Sequence, residues 1–430
     1  MYFRPSARGS ARPVSGVPAP NAAARHIPFG VSQRSVPTRP GPFTQEARRL
    51  LPRLRRWRSD FHREPELADQ EHRTRERIVR ILGELGIPAT TYPDFTGVLG
   101  VIGGGLPGPA VAVRADMDAL PVTEATGLPY ASGLAGRMHA CAHDVHMACL
   151  LGAAALLAGR PDLRGPVKLL FQPAEEEGER GGAGPFLDHG AFDSPPVDYV
   201  LGQHVEPGLP LGTYGWRKGP IMAAADRFRI TVFGRGGHAA YPHRGPDAIL
   251  AAAEIVTGLP ALVSRVRDPL DPVVVSVGAV HGGTRHNILP DEVVLDGTVR
   301  TLSATTRDLM EAAVRRRVRA IARGLGARVR IVYRRGYPVT VNAPAATEVV
   351  VGALAEEFGG RAVRELERPV LGAEDFSRYL ERVPGTFLFL GVGQRGAPST
   401  LHSATFAPPD AALIMGSAGL AAATVALQGT

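Results

Sequence analysis

The chain has 430 residues, 44% of them hydrophobic and 21% charged, the composition of a soluble globular protein with two or three domains. Its two cysteines, Cys141 and Cys149, exclude a disulfide scaffold and point to a reducing, cytoplasmic setting. The net charge of +8 sits mostly in residues 1–44, which hold six arginines and no acidic residue, leaving 43 basic against 41 acidic side chains elsewhere. That distribution speaks against a nucleic-acid-binding face, so no nucleic-acid partner is expected.

Residues 1–44 lack the apolar stretch of a secretory signal and read as a disordered Arg/Pro-rich extension. From Gln45 to Gly86 the pattern is helical. Leu50, Leu51, Leu54 and Trp57 recur at helical spacing, and Ile78, Ile81, Leu82 and Leu85 do so again before Gly86-Ile87-Pro88. Between them, His62-Arg63-Glu64-Pro65-Glu66-Leu67 is a polar interruption that helical periodicity does not explain. Short apolar runs at Val98–Ile102 and Ala110–Val113 read as strands, the second leading into Asp116 and Asp118. Those carboxylates either cap a turn or stand where open α/β sheets place their sites, at the carboxyl end of a strand.

Met138–Met147 is the densest stretch of metal-binding chemistry, with His139, Cys141, His143 and His146 in eight positions, and a small, apolar helical run follows. Imidazole and thiolate together suit a borderline divalent ion. Cys149, inside the helical run, reads as packing. Three further strands each deliver a ligand type. Val167–Phe171 runs into Glu175-Glu176-Glu177, Val197–Leu201 ends at Gly202-Gln203-His204, and Thr386–Val392 precedes His402. Three adjacent carboxylates repel one another unless a cation sits among them, or else they form a solvated loop. With Cys141 and His143, this set matches a two-metal hydrolase in ligand type and number.

Residues 223–335 have another rhythm: a strand around Phe228–Val232, a helix over Pro246–Val266, and strands at Val273–Val280 and Glu292–Thr301. A helix over Arg307–Leu325 and a strand at Ala327–Tyr333 complete a βαββαβ unit. The expected fold is α/β with two domains. A larger catalytic domain with a central sheet (45–222 and 336–430) is interrupted by a ferredoxin-like insertion. The uncharged run Ala411–Leu427 reads as a buried terminal helix, and no membrane partner is expected.

Eight motifs, in order, resemble the metal-dependent amidohydrolase and carboxypeptidase family that includes hippurate hydrolases, N-acyl-amino-acid amidohydrolases and auxin-conjugate hydrolases. They are His62–Leu67, Arg114–Pro121, Met138–His146, Phe171–Glu176, Gly236–Ala240, His286–Glu292, Gly372–Ser377 and Leu401–Ser403. The resemblance covers the chain from about residue 45 to its end.

It implies two divalent metal ions (Mn, Zn, Co or Ni) held by Cys141, His143, Glu176, His204 and His402, with Glu175 as catalytic base. It further implies a homodimer formed through the inserted domain, which doubles as a lid and brings His238 and Asn287 to the substrate, a small N-acyl-amino acid. Four departures are visible: Ala142 where glycine is usual, Ala404 where proline is common, Glu177 extending the glutamate pair, and Glu206 where an aromatic is frequent. The alternatives are a carboxypeptidase or dipeptidase on the same scaffold and a catalytically silent binding homologue, whose mark would be a lost ligand. None is lost.

Overall fold

The computed structural model describes residues 40–394, 396 and 400–429. The expected extension 1–44 therefore falls mostly outside the described residues, and its last part is folded. Helix α1 (Pro42–Arg63) starts inside it, because Pro42 is pre-set for the first helical turn and Phe43 and Thr44 are buried. The amide of Thr44 donates to Glu357, 313 positions away. Helix α2 (His72–Glu84) follows, and Glu66 in the intervening segment accepts from the Thr74 amide and hydroxyl at 2.9 and 3.0 Å. The polar interruption of the sequence is thus in part a cap for α2.

The larger sheet is mixed and eight-stranded. It contains β1 (Ala89–Tyr92), β2 (Phe95–Ile102), β3 (Val111–Asp116), β4 (Val167–Gln172), β5 (Tyr199–Pro210), β6 (Tyr214–Trp216) and strands Val363–Glu365 and Gly385–Gly393. The order across the sheet is β1, β2, β4, β3, β5, then 385–393, β6 and 363–365. Parallel pairing runs from β4 through β3 and β5 to 385–393, and these central strands are almost wholly buried. β5 is longer than the sequence suggests. Its pairing with 385–393 continues to Glu206, so His204 lies within the strand and not beyond its end.

Helices α1, α3 (His143–Leu157), Pro344–Phe358 and Ala411–Leu427 pack together against this sheet in one core. The terminal run is the buried helix its composition suggests. Small residues let α3 and Ala411–Leu427 approach closely. A Cβ on Gly416 would sit 3.0 Å from Gln203 Nε2 and closer still to Cys149 Sγ, so Cys149 is indeed a packing residue.

Residues 224–335 form a second, four-stranded antiparallel sheet with its own core. Strands Ala224–Phe233, Val273–His281, Glu292–Thr301 and Arg328–Arg335 stand in spatial order second, third, first, fourth, which is the ferredoxin-like arrangement. The expected helix 246–266 is two helices, Ala248–Gly258 and Pro260–Arg265, because Pro260 cannot continue the first. The second long helix is Ala304–Gly324, capped by the Ser303 hydroxyl.

Candidate metal centre

The metal-binding stretch enters α3 through an unusual backbone. Ala142 has φ 62°, in the left-handed region, so the chain turns sharply between Cys141 and His143 as it enters the helix. Glycine would adopt this conformation without strain, which explains why the alanine stands out. Ala174 (φ 56°), just before the glutamates, and His402 (φ 63°) share the conformation. Such residues persist where the surroundings over-determine them, and they cluster at functional sites. The amide of His402 donates to the Ala140 carbonyl at 2.8 Å, tying the C-terminal ligand loop to the metal-binding stretch.

The side chains converge. Cys141 Sγ is 3.3 Å from His204 Nε2, His402 Nε2 is 3.2 Å from Glu176 Oε1, and His143 Nε2 is 3.9 Å from the same oxygen. Ligand atoms of Cys141, Glu176 and His402 lie within 4.8 Å of one another, as do those of His143, Glu175 and Glu176. Donors bound to one ion at about 2.0–2.3 Å stand roughly 3–4 Å apart, so these separations fit a shared cation. Neither ring nitrogen of His143 makes a well-formed hydrogen bond, and Glu176 Oε1 also lacks one, although all three atoms are buried. Polar atoms of this kind are rarely left so without a reason. The residues present fit metal ions.

The remaining ring nitrogens are assigned by their neighbours. His204 Nδ1 donates to the Val205 carbonyl at 2.7 Å, and His143 Nδ1 is 3.3 Å from Asp118 Oδ1, so in each ring Nε2 faces the cluster. Asp118 also accepts from the Glu176 amide at 2.9 Å. His146 is fully engaged elsewhere, Nδ1 with Asp116 Oδ1 at 2.6 Å and Nε2 with the Val205 amide at 3.0 Å. His139 is buried beside His62, with ring centres 6.3 Å apart, and neither of its nitrogens has a partner. His146 nonetheless stands with Asp116, His143 and His204 in a group whose ligand atoms lie within 4.8 Å of one another. Asp116 faces the rings of His143 and His146, and Asp118 both faces His143 and caps the glutamate turn.

Without a cation, the charges here conflict. Burial, then Glu176, Glu175 and Asp116, push the Cys141 thiol well above its usual range. Burial lowers His204 to about 3, reinforced by His146. Burial opposes charge on His143 as well, but Asp116 and Asp118 outweigh it and raise the ring to about 10. A divalent cation resolves this set, since it favours thiolate and neutral imidazole together.

Behind the cluster, Arg114 is fully buried. It donates to Asp116 at 2.7 Å, Asp375 at 2.8 Å and Gln172 at 3.0 Å, and pairs with Glu374 at 2.9 Å. Glu175, on the short 3₁₀ turn Glu175–Glu177, is buried against this group. Burial foremost, then Glu374, Glu176 and Asp375, hold its carboxyl well above the usual range. Glu177 turns away and accepts from the amides of Arg180 (2.7 Å) and Glu179 (3.1 Å), so it caps its own loop. Glu206 lies two residues after His204 in the same strand, hence on the same face, and accepts from the Gly208 amide.

A second buried network adjoins α3. Asp144 accepts from Arg58 Nε at 3.0 Å and from His62 Nδ1 at 2.9 Å, while His62 Nε2 is 3.2 Å from Glu124. Sequence reasoning did not single out Glu71, Glu124, Tyr337, Glu374 or Asp375 as site residues. Glu374 and Asp375 lay inside a quoted motif, and the other three carry no local signal. His238 and Asn287 lie exposed beside the short ribbon that pairs Gly237–His238 with Ile288–Leu289. Among the described residues, no hydrogen bond, ion pair or ring contact joins either to the metal cluster of its own chain.

The model for peptidase family M20/M25/M40 matches residues 112–424. The chain belongs to this family. It is 41% identical over 364 residues to thermostable carboxypeptidase 1 of Saccharolobus solfataricus, covering 84% of this chain and 91% of that protein. It is 40% identical over 336 residues to N-acetyl-L-cysteine deacetylase of Bacillus subtilis, covering 78% and 79%. Among solved structures, a dinuclear metal binding peptidase of the M20 family from Bacillus subtilis superposes with a TM-score of 0.78 at 35% identity, over 89% of this chain and 99% of that one. This M20 chain is thus a metal-dependent hydrolase of amides with a mixed α/β fold.

Proposed function

We propose that the chain hydrolyses the amide bond of small N-acyl-amino acids. The observation that carries the reading is the convergence of the side chains of Cys141, His143, Glu176, His204 and His402, with Glu175 on the same turn as Glu176. The name of the deacetylase relative agrees with it. In this reading those five residues would hold two divalent ions, Cys141 standing close to both Glu176 and His204. Such ions would supply a water of lowered pKa and a Lewis acid for the scissile carbonyl.

The chain's own residues do the rest. Glu175 accepts the proton of the attacking water and returns it to the departing amine, a transfer worth roughly 10²–10⁴ in rate. Asp118 and the Val205 carbonyl fix the orientation of His143 and His204. His238 and Asn287 reach a neighbouring chain's site in a homodimer built through residues 223–335, which forms the lid. A thiolate ligand at Cys141 suits a reducing, cytoplasmic compartment.

The carboxypeptidase relative supports a second reading, in which the amide cleaved is a peptide bond. The test is release of free amino acid from N-acetyl-, N-benzoyl- and indole-acyl-amino acids and from dipeptides, after stripping the protein and reloading Mn, Zn, Co or Ni. Turnover of acyl-amino acids that Glu175→Gln abolishes with metal still bound supports the proposal. Turnover of dipeptides alone replaces it with the peptidase reading. No turnover with metal bound leaves the silent homologue.

A further inference from the structure

The chain leaves the smaller sheet at Arg335, and the next two residues touch the turn that carries Glu175. Tyr337 is buried, and its hydroxyl donates to the Glu175 carbonyl at 2.6 Å and accepts from the Gly178 amide at 2.9 Å. One phenol therefore closes the turn from both ends. A Cβ on Gly336 would stand 2.9 Å from the Gly178 carbonyl, so the backbone that leaves the sheet lies directly against the turn.

The two strands that connect the smaller sheet to the rest of the chain meet at this point. Gly336 donates to Ala225 and Ala225 donates to Tyr337, both at 3.0 Å. Other groups hold the turn on its far side, Glu71 accepting from the Ala174 amide at 3.0 Å and Asp118 from the Glu176 amide. Beyond the turn, Glu179 accepts from Arg334, the penultimate residue of the sheet's last strand, at 2.9 Å. Its carbonyl accepts from Arg378, whose guanidinium lies over the Tyr337 ring.

We propose that Tyr337 is a positioning residue that fixes the Glu175 turn and couples it to the strand leaving the smaller sheet. The inference deepens the proposed function, since it gives Tyr337 its effect through Glu175 as proton acceptor. A hydroxyl bonded to the Glu175 carbonyl and to the Gly178 amide holds the two ends of the turn and so helps to set where the Glu175 carboxylate stands. The same residue is paired through its backbone to Ala225, so the turn is tied directly to the two strands where the chain enters and leaves the smaller sheet. Displacement of a catalytic group by about 1 Å costs on the order of 10²-fold in rate, so the bond matters for chemistry more than for binding.

The variant Tyr337→Phe keeps the ring and removes the hydroxyl. With an N-acyl-amino acid, kcat is expected to fall about 10- to 100-fold while KM stays within about twofold and two metal ions per chain are retained. In a Glu175→Gln background, the same substitution is expected to change the residual rate by less than about twofold, because the group it positions is gone. Hydrogen exchange at the Gly178 amide is expected to accelerate while exchange at Ala174 and Glu176 holds.

Unchanged kcat with Gly178 still protected overturns the proposal. So does an equal loss in both backgrounds, or a loss reversed by added metal. Should the wild type hydrolyse none of the substrates, the functional reading is what fails, and exchange alone then decides the coupling. Acceleration at Gly178 sustains it and unchanged protection overturns it. Should Tyr337→Phe not fold, the wild type carries the test, since fast exchange of the Gly178 amide overturns the bond.

Discussion

The replacement of Asp144 by asparagine tests the buried network beside the metal centre. Asp144 and Arg58 are each 1% exposed and meet at 3.0 Å, and the same carboxylate oxygen meets His62 at 2.9 Å. Removing one partner of such a pair costs about 3–5 kcal/mol, because the other charge stays buried. Arg58 retains Asp410, at 2.7 Å and 27% exposed, which places the expected loss near the lower end, about 3 kcal/mol. At about 2 °C per kcal/mol for a large domain, the melting temperature falls by about 6 °C.

The pH dependence follows from the two titrating groups. Burial, the largest influence on Asp144, opposes its charge, but His62 and Arg58 prevail and hold its carboxyl well below the usual range. Its contribution is therefore present above the unfolded carboxylate pKa and fades as pH falls through the folded one. Burial likewise opposes charge on His62, yet Asp144 and Glu124 raise it. Its contribution is present below its unfolded pKa and is lost as pH rises through the folded one. The deficit of Asp144→Asn should thus be greatest between about pH 4 and 6.5 and smaller at pH 9. Thermal and denaturant unfolding across pH measure it, with Asp410→Asn as a control expected to cost under about 1 kcal/mol. A deficit below about 1 kcal/mol at pH 5.5, or one that grows with pH, would refute the reasoning.

Asp118→Asn loosens both His143 and the Glu176 amide, so metal affinity should drop about 10- to 100-fold in a chelator competition, with the fold unchanged by circular dichroism. Gly416→Ala drives a methyl into Cys149 and should destabilise by about 1–3 kcal/mol in denaturant titration, an effect that Cys149→Ala added to it should relieve in part. Stripping the metal should lower the melting temperature, by the equivalent of about 2.7 kcal/mol when the comparison is made at a free metal concentration of 100 Kd, and reloading should restore it.

Much of this was legible because ligand types are rare letters and strand ends are loud ones. Cys141, His143, Glu176, His204 and His402 each follow or interrupt an apolar run, and apolar runs survive as strands or helices because they must be buried. The smaller sheet was readable for the same reason, since Phe228, Ile230 and Val232 alternate against one helical face. What escaped was set by tertiary contact. The length of β5 depends on its pairing with 385–393, a strand nearly two hundred residues away, so its end was placed too early. The break before Pro260 is local, since the proline interrupts an otherwise continuous apolar pattern.

The roles of the acidic residues were the least legible, because a carboxylate's role depends on what faces it and not on its neighbours in sequence. Glu175, Glu176 and Glu177 are adjacent and chemically alike, yet one is buried against Arg114 and its carboxylates, one faces the metal cluster and one caps a loop. The 3₁₀ turn separates them by sending consecutive side chains in different directions, and Gly178 at φ 81° closes it. Its hold comes from Glu71, Asp118 and Tyr337, residues from three distant parts of the chain. A three-letter acidic run thus acquires three environments from backbone geometry, and the groups that impose that geometry lie 58 or more residues from their partners in the chain.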